Sequence, residues 1–238
     1  MTAKSAKKNY QKELEKTIES LVASAARPSL LLHACCGPCS SYVLEYLAKF
    51  FDITILYYNP NIFPKEEYER RLEELKNLLP RFPVALQNNV KFVEQNYEPQ
   101  EFFNAIDIKN HPEFAEEPEK GERCRLCYKF RLKKAYDYAS INNFEYFCTT
   151  LSISPFKDAE KINNIGIELC NSKNSPKWLF SDFKKKGGFK RSLELSEEYN
   201  LYRQQYCGCV YSKINTEKFH HPKNDDFSTN TISQSKTK

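Results

Sequence analysis

The sequence predicts a layered α/β protein with a mainly parallel sheet and helical additions. Two observations carry this. Short apolar, β-rich runs alternate with longer segments of helical spacing, and a cysteine-rich turn joins the first such run to the first such helix. The 238 residues, 40% hydrophobic and 28% charged, suffice for one packed core.

Residues 1–28 read as a polar arm or helix, closed by Arg27-Pro28. Ser29 to Ala34 is a short apolar run, read as a buried strand. It passes through Cys35-Cys36-Gly37-Pro38-Cys39 into a helix over Ser40 to Phe51, where Val43, Leu44, Leu47, Ala48 and Phe51 keep helical spacing. Ile53 to Tyr58 is a second strand, closed by Asn59-Pro60. A charged helix runs from about Lys65 to Leu79, and Val90 to Val93 is a third, short strand. Glu98 to Gly121 is acidic and broken by prolines, so loops with short helical pieces are expected. Glu122 to Ser140 reads as a helix bearing Cys124 and Cys127. A strand over Glu145 to Leu151, a helix over Asp158 to Leu169, a strand over Trp178 to Phe183 and a helix over Ser192 to Tyr202 follow. The Cys207-Gly208-Cys209 turn comes last, and residues 213–238 read as a disordered polar tail. The main domain is thus 29–212. In such sheets ligands bind beyond the carboxyl ends of the strands, where Cys35, Cys36 and Cys39 fall.

Bulk properties narrow the function classes. No stretch approaches the roughly 20 apolar residues of a membrane-spanning helix, and the charged start is neither a signal nor a transit peptide. A cytoplasmic protein is expected, and in that reducing compartment nine cysteines point to metal or redox chemistry. The net charge of +5 permits a polyanionic partner.

Seven cysteines form three groups: Cys35, Cys36 and Cys39; Cys124 and Cys127; Cys207 and Cys209. Thiolates select zinc, copper(I) or iron–sulfur clusters. Residues three apart on a helix share a face, so Cys124 and Cys127 can hold one metal or one cluster edge. A helix start stabilises thiolate at the first group. Seven are too many for one structural zinc site, which takes four. Cys148 and Cys170 fall on apolar elements and read as core residues.

The segment LLLHACCGPCSSYVLEYL resembles the start of the QueH family, the iron–sulfur, cobalamin-independent epoxyqueuosine reductases. The resemblance continues through YYNPNIFPKEEYERR, ERCRLCYKFRL, TTLSISPFKD and DFKKKGGFKRSLELSEEYNLYRQQYCGC, spanning about Leu30 to Ser212. It implies a Rossmann-like or HUP-like fold and an oxidoreductase of queuosine biosynthesis, reducing epoxyqueuosine to queuosine at the wobble position of tRNA. By the same resemblance, electrons come from a ferredoxin or flavodoxin type donor through a [4Fe–4S] cluster. Cys35, Cys36, Cys124 and Cys127 are the cluster ligands it implies. Cys207 and Cys209 would be a redox-active disulfide pair or, with Cys39, ligands of a second, mononuclear iron. Some relatives carry an acid at the position of Cys39. Two other readings of the cysteines stay open: a zinc-stabilised RNA-binding module, and a metal-free thiol–disulfide oxidoreductase.

Substrate contacts are expected from the basic run Lys184, Lys185, Lys186, Lys190 and Arg191, and from Tyr202, Arg203 and Gln204 before the last cysteine pair. The bland reading of that run is a solvated face. His33 is a core histidine or a proton donor. Ser152, Ser154, Lys157 and Asp158 either hold a ribose or phosphate at a helix start or simply cap the helix. Tyr206 is a further candidate to protonate the epoxide.

Overall fold

A computed structural model describes residues 8–170 and 175–220. Five strands, β1 (Ser29–Ala34), β2 (Asp52–Tyr57), β3 (Lys91–Glu94), β4 (Tyr146–Thr149) and β5 (Lys177–Trp178), form one sheet in the order β3-β2-β1-β4-β5. Every pairing is parallel, with Leu32 of β1 opposite Ile55 of β2 and Cys148 of β4. The α/β expectation is met.

Helices cover both faces, and the alternation along β1 shows how. Leu30, Leu32 and Ala34 pack with Val43, Leu44 and Leu47 of α2 (Gly37–Leu47) and with Leu72 and Leu75 of α3 (Lys65–Leu78). Leu31 points the other way, into a cluster with Tyr128, Leu132 and Ala135 of α6 (Glu122–Ile141) and Ile162 and Ile165 of α7 (Ala159–Leu169). A strand buried on both sides is apolar at almost every position, hence Leu30 to Leu32, and the one polar side chain buried in it, His33, has both ring nitrogens hydrogen-bonded. The polar N-terminal segment holds α1 (Tyr10–Ala23), capped by Asn9, which lays Leu14, Ile18 and Leu21 into the same cluster as Leu30. Its polar residues are the outer face of an amphipathic helix.

The short elements α4 (Pro83–Gln87) and α5 (Pro99–Ala105) occupy the loops around β3. The strand read over Trp178 to Phe183 is only two residues long. The Leu179 N–H still donates to the Phe147 carbonyl (3.0 Å), but the Ser181 N–H donates to Asn163 Oδ1 (3.1 Å) instead, so the ladder stops. Likewise β4 ends at Thr149 and continues as a 3₁₀ turn, Thr150–Ile153. Helix α8 (Gly188–Glu198) packs on α2, and α9 (Val210–His220) runs through the start of the segment read as a tail. The rest of that segment lies outside the described residues. Among the described residues no helix is long and apolar enough to cross a membrane.

Candidate metal centre

Strand order fixes where the site lies. β1 pairs with β2 on one side and with β4 on the other, so the chain reverses direction across the sheet at β1. The loops after β1 and β4 therefore part and leave a crevice at the carboxyl edge. Cys35 and Cys36 follow β1, Thr150 follows β4, and Cys35 Sγ lies 3.9 Å from Thr150 Oγ1.

The first cysteine group is compact. The sulfurs of Cys35, Cys36 and Cys39 lie within 4.8 Å of one another, the first two buried. Cys36 caps α2: its sulfur accepts the Cys39 N–H (3.3 Å) and the Gln204 Nε2–H (3.0 Å). Hydrogen bonds from Cys36 and then Cys39 hold Cys35 well below the ordinary thiol range. Cys36 is pushed up to about 12, chiefly by burial.

The other four cysteines line a second, small cavity between α6 and the last turn: Cys124 and Cys127 on one wall, Cys207 and Cys209 on the other. Cys207 and Cys209 are free thiols with sulfurs 3.7 Å apart. Cys207 is held well below its usual range, first by the hydrogen bond from Cys209 and, against the cost of burial, by the ammonium of Lys157.

A larger cavity of about 480 Å³ adjoins the smaller one, and Cys35, Cys39 and Cys207 line it. Three residues line both: Arg131, Lys157 and Cys207. Thiols from three distant stretches of chain thus converge.

Basic groups surround them. Arg71 and Arg123 are 1% exposed, Arg131 3% and Lys157 9%. Arg71 pairs with Glu67 (2.6 Å) and also donates to the carbonyls of Cys207 (3.1 Å) and Tyr206 (3.3 Å), which pins the last turn against α3. Arg131 donates to Asn59 Oδ1 (2.5 Å), while Arg131 Nε, Arg123 Nε and Nη2, and the Tyr128 hydroxyl are buried without a hydrogen-bond partner among the described residues. Unpaired buried donors and cations are costly unless negative charge faces them. A thiolate-bound iron–sulfur cluster is polyanionic, so this donor set and its orphaned donors fit one.

The sequence-based contacts separate on inspection. Arg203 and Gln204 line the large cavity. Tyr202, in the loop after α8, packs against α3, its hydroxyl donating to Glu67 (3.1 Å) and its ring under Arg70. None of Lys184, Lys185, Lys186, Lys190 and Arg191 lines the cavity. Lys184 pairs with Asp182, Lys186 with Glu15 and Arg191 with Glu45, whereas Lys185 and Lys190 make no ion pair among the described residues. Asp158 caps α7, accepting the N–H groups of Glu160 (3.0 Å) and Lys161 (3.1 Å), and Ser152 bonds Ser181 in the core. His33 is fully buried between Thr149 Oγ1 (2.8 Å) and the Tyr58 carbonyl (3.1 Å), and its pKa is lowered to about 3 by burial. Arg71, Arg123, Arg131 and Asn59 were not singled out in sequence. The one available signal is Arg131, four residues after Cys127 and so on its helix face.

A parallel sheet with seven thiols around two adjoining cavities at its switch point, beside buried cations, defines an α/β protein with a candidate thiolate metal site. The chain belongs to the epoxyqueuosine reductase QueH family, whose model matches residues 30–215. It is 42% identical over 204 residues to the epoxyqueuosine reductase QueH of Streptococcus pyogenes serotype M1, covering 86% of this chain and 78% of that one. To the QueH of Staphylococcus epidermidis it is 41% identical over 211 residues, 89% and 87% of the two chains. Among solved structures, the U34-tRNA thiolase NcsA from Methanococcus maripaludis with its [4Fe-4S] cluster covers 90% of this chain and 73% of its own, at 12% identity and a TM-score of 0.47. That likeness is too distant to bear on function.

Proposed function

We propose that this oxidoreductase reduces epoxyqueuosine to queuosine in tRNA with electrons supplied through an iron–sulfur centre at the carboxyl edge of the sheet. The observation that carries this reading is the meeting of the three cysteine groups beside a cavity of about 480 Å³, large enough to admit a nucleoside. Cys35, Cys36, Cys124 and Cys127 would hold a [4Fe–4S] cluster, which supplies one-electron transfers when bound. Cys207 and Cys209 are then a redox pair, or share a second iron with Cys39. A ferredoxin or flavodoxin type protein is the donor.

The chain's own residues prepare that chemistry. Arg71, Arg131 and Lys157 favour anionic sulfur in a site that burial would otherwise keep protonated. Gln204 donates to Cys36 and orients its sulfur. Arg203 and Gln204 stand at the cavity, where a base extruded from the anticodon loop would enter, and Lys185 and Lys190 offer charge to the phosphate backbone.

The test uses anaerobically purified protein, its iron and sulfide measured, given a one-electron reductant and tRNA bearing the epoxide. Digested tRNA examined by mass spectrometry should show the loss of one oxygen. Cys124→Ser should lose cluster iron and turnover together. Full iron and full turnover in that variant would remove Cys124 from the centre, and wild-type protein that leaves the epoxide intact would end the reading.

A further inference from the structure

We propose that Lys157 is the proton donor to the epoxide oxygen, a role that rests on the reading of the reaction just given. Removing an epoxide oxygen as water needs a proton at that oxygen when the first carbon–oxygen bond opens. A positioned acid typically contributes about 10² to 10⁴ in rate to such a step. The cavity offers few groups able to give one.

His33 does not line the cavity, and both its ring nitrogens are engaged in the core. Tyr206 lines the cavity, but its hydroxyl donates to the Phe63 carbonyl (2.7 Å). Glu119 accepts the Ser212 hydroxyl (2.7 Å) and is tied to that partner. Arg131 and Arg203 keep their protons, since a guanidinium is not deprotonated in a protein. Lys157 remains. It is 91% buried by its 9% exposure, lines both cavities, and makes no side-chain hydrogen bond or ion pair among the described residues.

An ammonium is buried in this way only where something favours its charge. The Glu119 carboxylate and Cys207 line the same cavity as that ammonium. The backbone N–H of Lys157 donates to the Ser154 carbonyl (3.2 Å), and Asp158 caps α7 immediately after it, so the loop is fixed at both sides. Lys157 therefore stands between the cysteine groups and the space the substrate would fill.

The step balances as follows. Both carbon–oxygen bonds of the epoxide break and a carbon–carbon double bond forms between the same two carbons. Two electrons come from the ferredoxin or flavodoxin class donor. Lys157 gives its proton to the oxygen as the first bond opens, solvent gives the second, and water leaves. An alkoxide is more basic than an amine, so the transfer from the ammonium is downhill. Solvent reprotonates Lys157 through the cavity mouth.

The experiment compares wild-type protein with Lys157→Arg and Lys157→Ala, each loaded with iron and sulfide, with rates expressed per loaded centre. Binding of tRNA and cluster absorbance are recorded alongside. Lys157→Arg keeps the charge and cannot give the proton, so tRNA binding should persist while turnover falls roughly a hundredfold or more. Added methylammonium should restore part of the turnover of Lys157→Ala. Wild-type rates in Lys157→Arg would overturn the assignment, and so would an Ala variant that methylammonium leaves slow. An inactive wild-type protein would instead count against the reaction itself, so the two failures are distinguishable.

Discussion

His33 illustrates how a single buried side chain couples the site to pH. It is a neutral ring that donates to the Tyr58 carbonyl and accepts from Thr149, fixing the strand ends of β1 and β4 from which the cysteine loops leave. Its folded pKa of about 3 lies below the ordinary value of 6.5 because burial penalises the cation. The unfolded chain therefore binds the extra proton first. The stabilising preference is complete above pH 6.5 and is lost as pH falls from there toward 3, at up to about 1.4 kcal/mol per pH unit. Urea denaturation at pH 7, 6 and 5 should show this fall, and His33→Gln should flatten it. An unchanged slope in the variant would assign the acid sensitivity elsewhere. Lys157 belongs to the same scale: its role depends on one ammonium in one place.

Helix α7 and the short strand β5 meet through Gly166 and Trp178. A Cβ at Gly166 would overlap the indole ring of Trp178, so only glycine lets the helix approach. Asn163, one turn earlier, accepts from Trp178 Nε1 (3.0 Å) and the Ser181 N–H (3.1 Å) and donates to the Ser181 carbonyl (2.8 Å). The helix thus replaces the missing part of the β5 ladder with side-chain hydrogen bonds. Gly166→Ala should destabilise by about 1–3 kcal/mol through overpacking. Thermal unfolding reads this directly, and an unshifted midpoint would mean that the ring moves aside freely. The sequence indicated a β-rich segment here, but not that Asn163 would end it, because the asparagine's partners lie 15 and 18 residues away.

At the scale of the whole molecule, the buried Arg71–Glu67 pair joins α3 to the Cys207 turn. Arg71 serves Glu67 and two carbonyls of the turn at once, and the Phe63 N–H donates to the Gly208 carbonyl (2.8 Å) beside it. Arg71→Leu leaves Glu67 buried and poorly paired, which typically costs roughly 3–5 kcal/mol. Glu67→Gln added to Arg71→Leu should recover part of that in chemical denaturation. If the last cysteine pair ligates a second iron, both variants should bind less of it. Stability regained without any change in iron would show the turn to be positioned without Arg71.

The succession of elements, the doubly buried character of β1 and the three cysteine groups are local properties, carried by periodicity and by spacing along the chain. They need no knowledge of what packs where, so the α/β class was legible from residues 29–169 alone. The tertiary structure decided which thiols are neighbours: Cys35, Cys36 and Cys39 in one knot, with Cys207 facing both it and the Cys124–Cys127 helix. It also drew Lys184, Lys186 and Arg191 into intramolecular pairs, put Arg71 on the backbone of the Cys207 turn and set Arg131 and Lys157 in the wall of the cysteine-lined cavity. The physical reason is that charge acts through space. A lysine in a polar loop and a lysine buried in a cysteine-lined cavity look alike in sequence, and only the fold separates them.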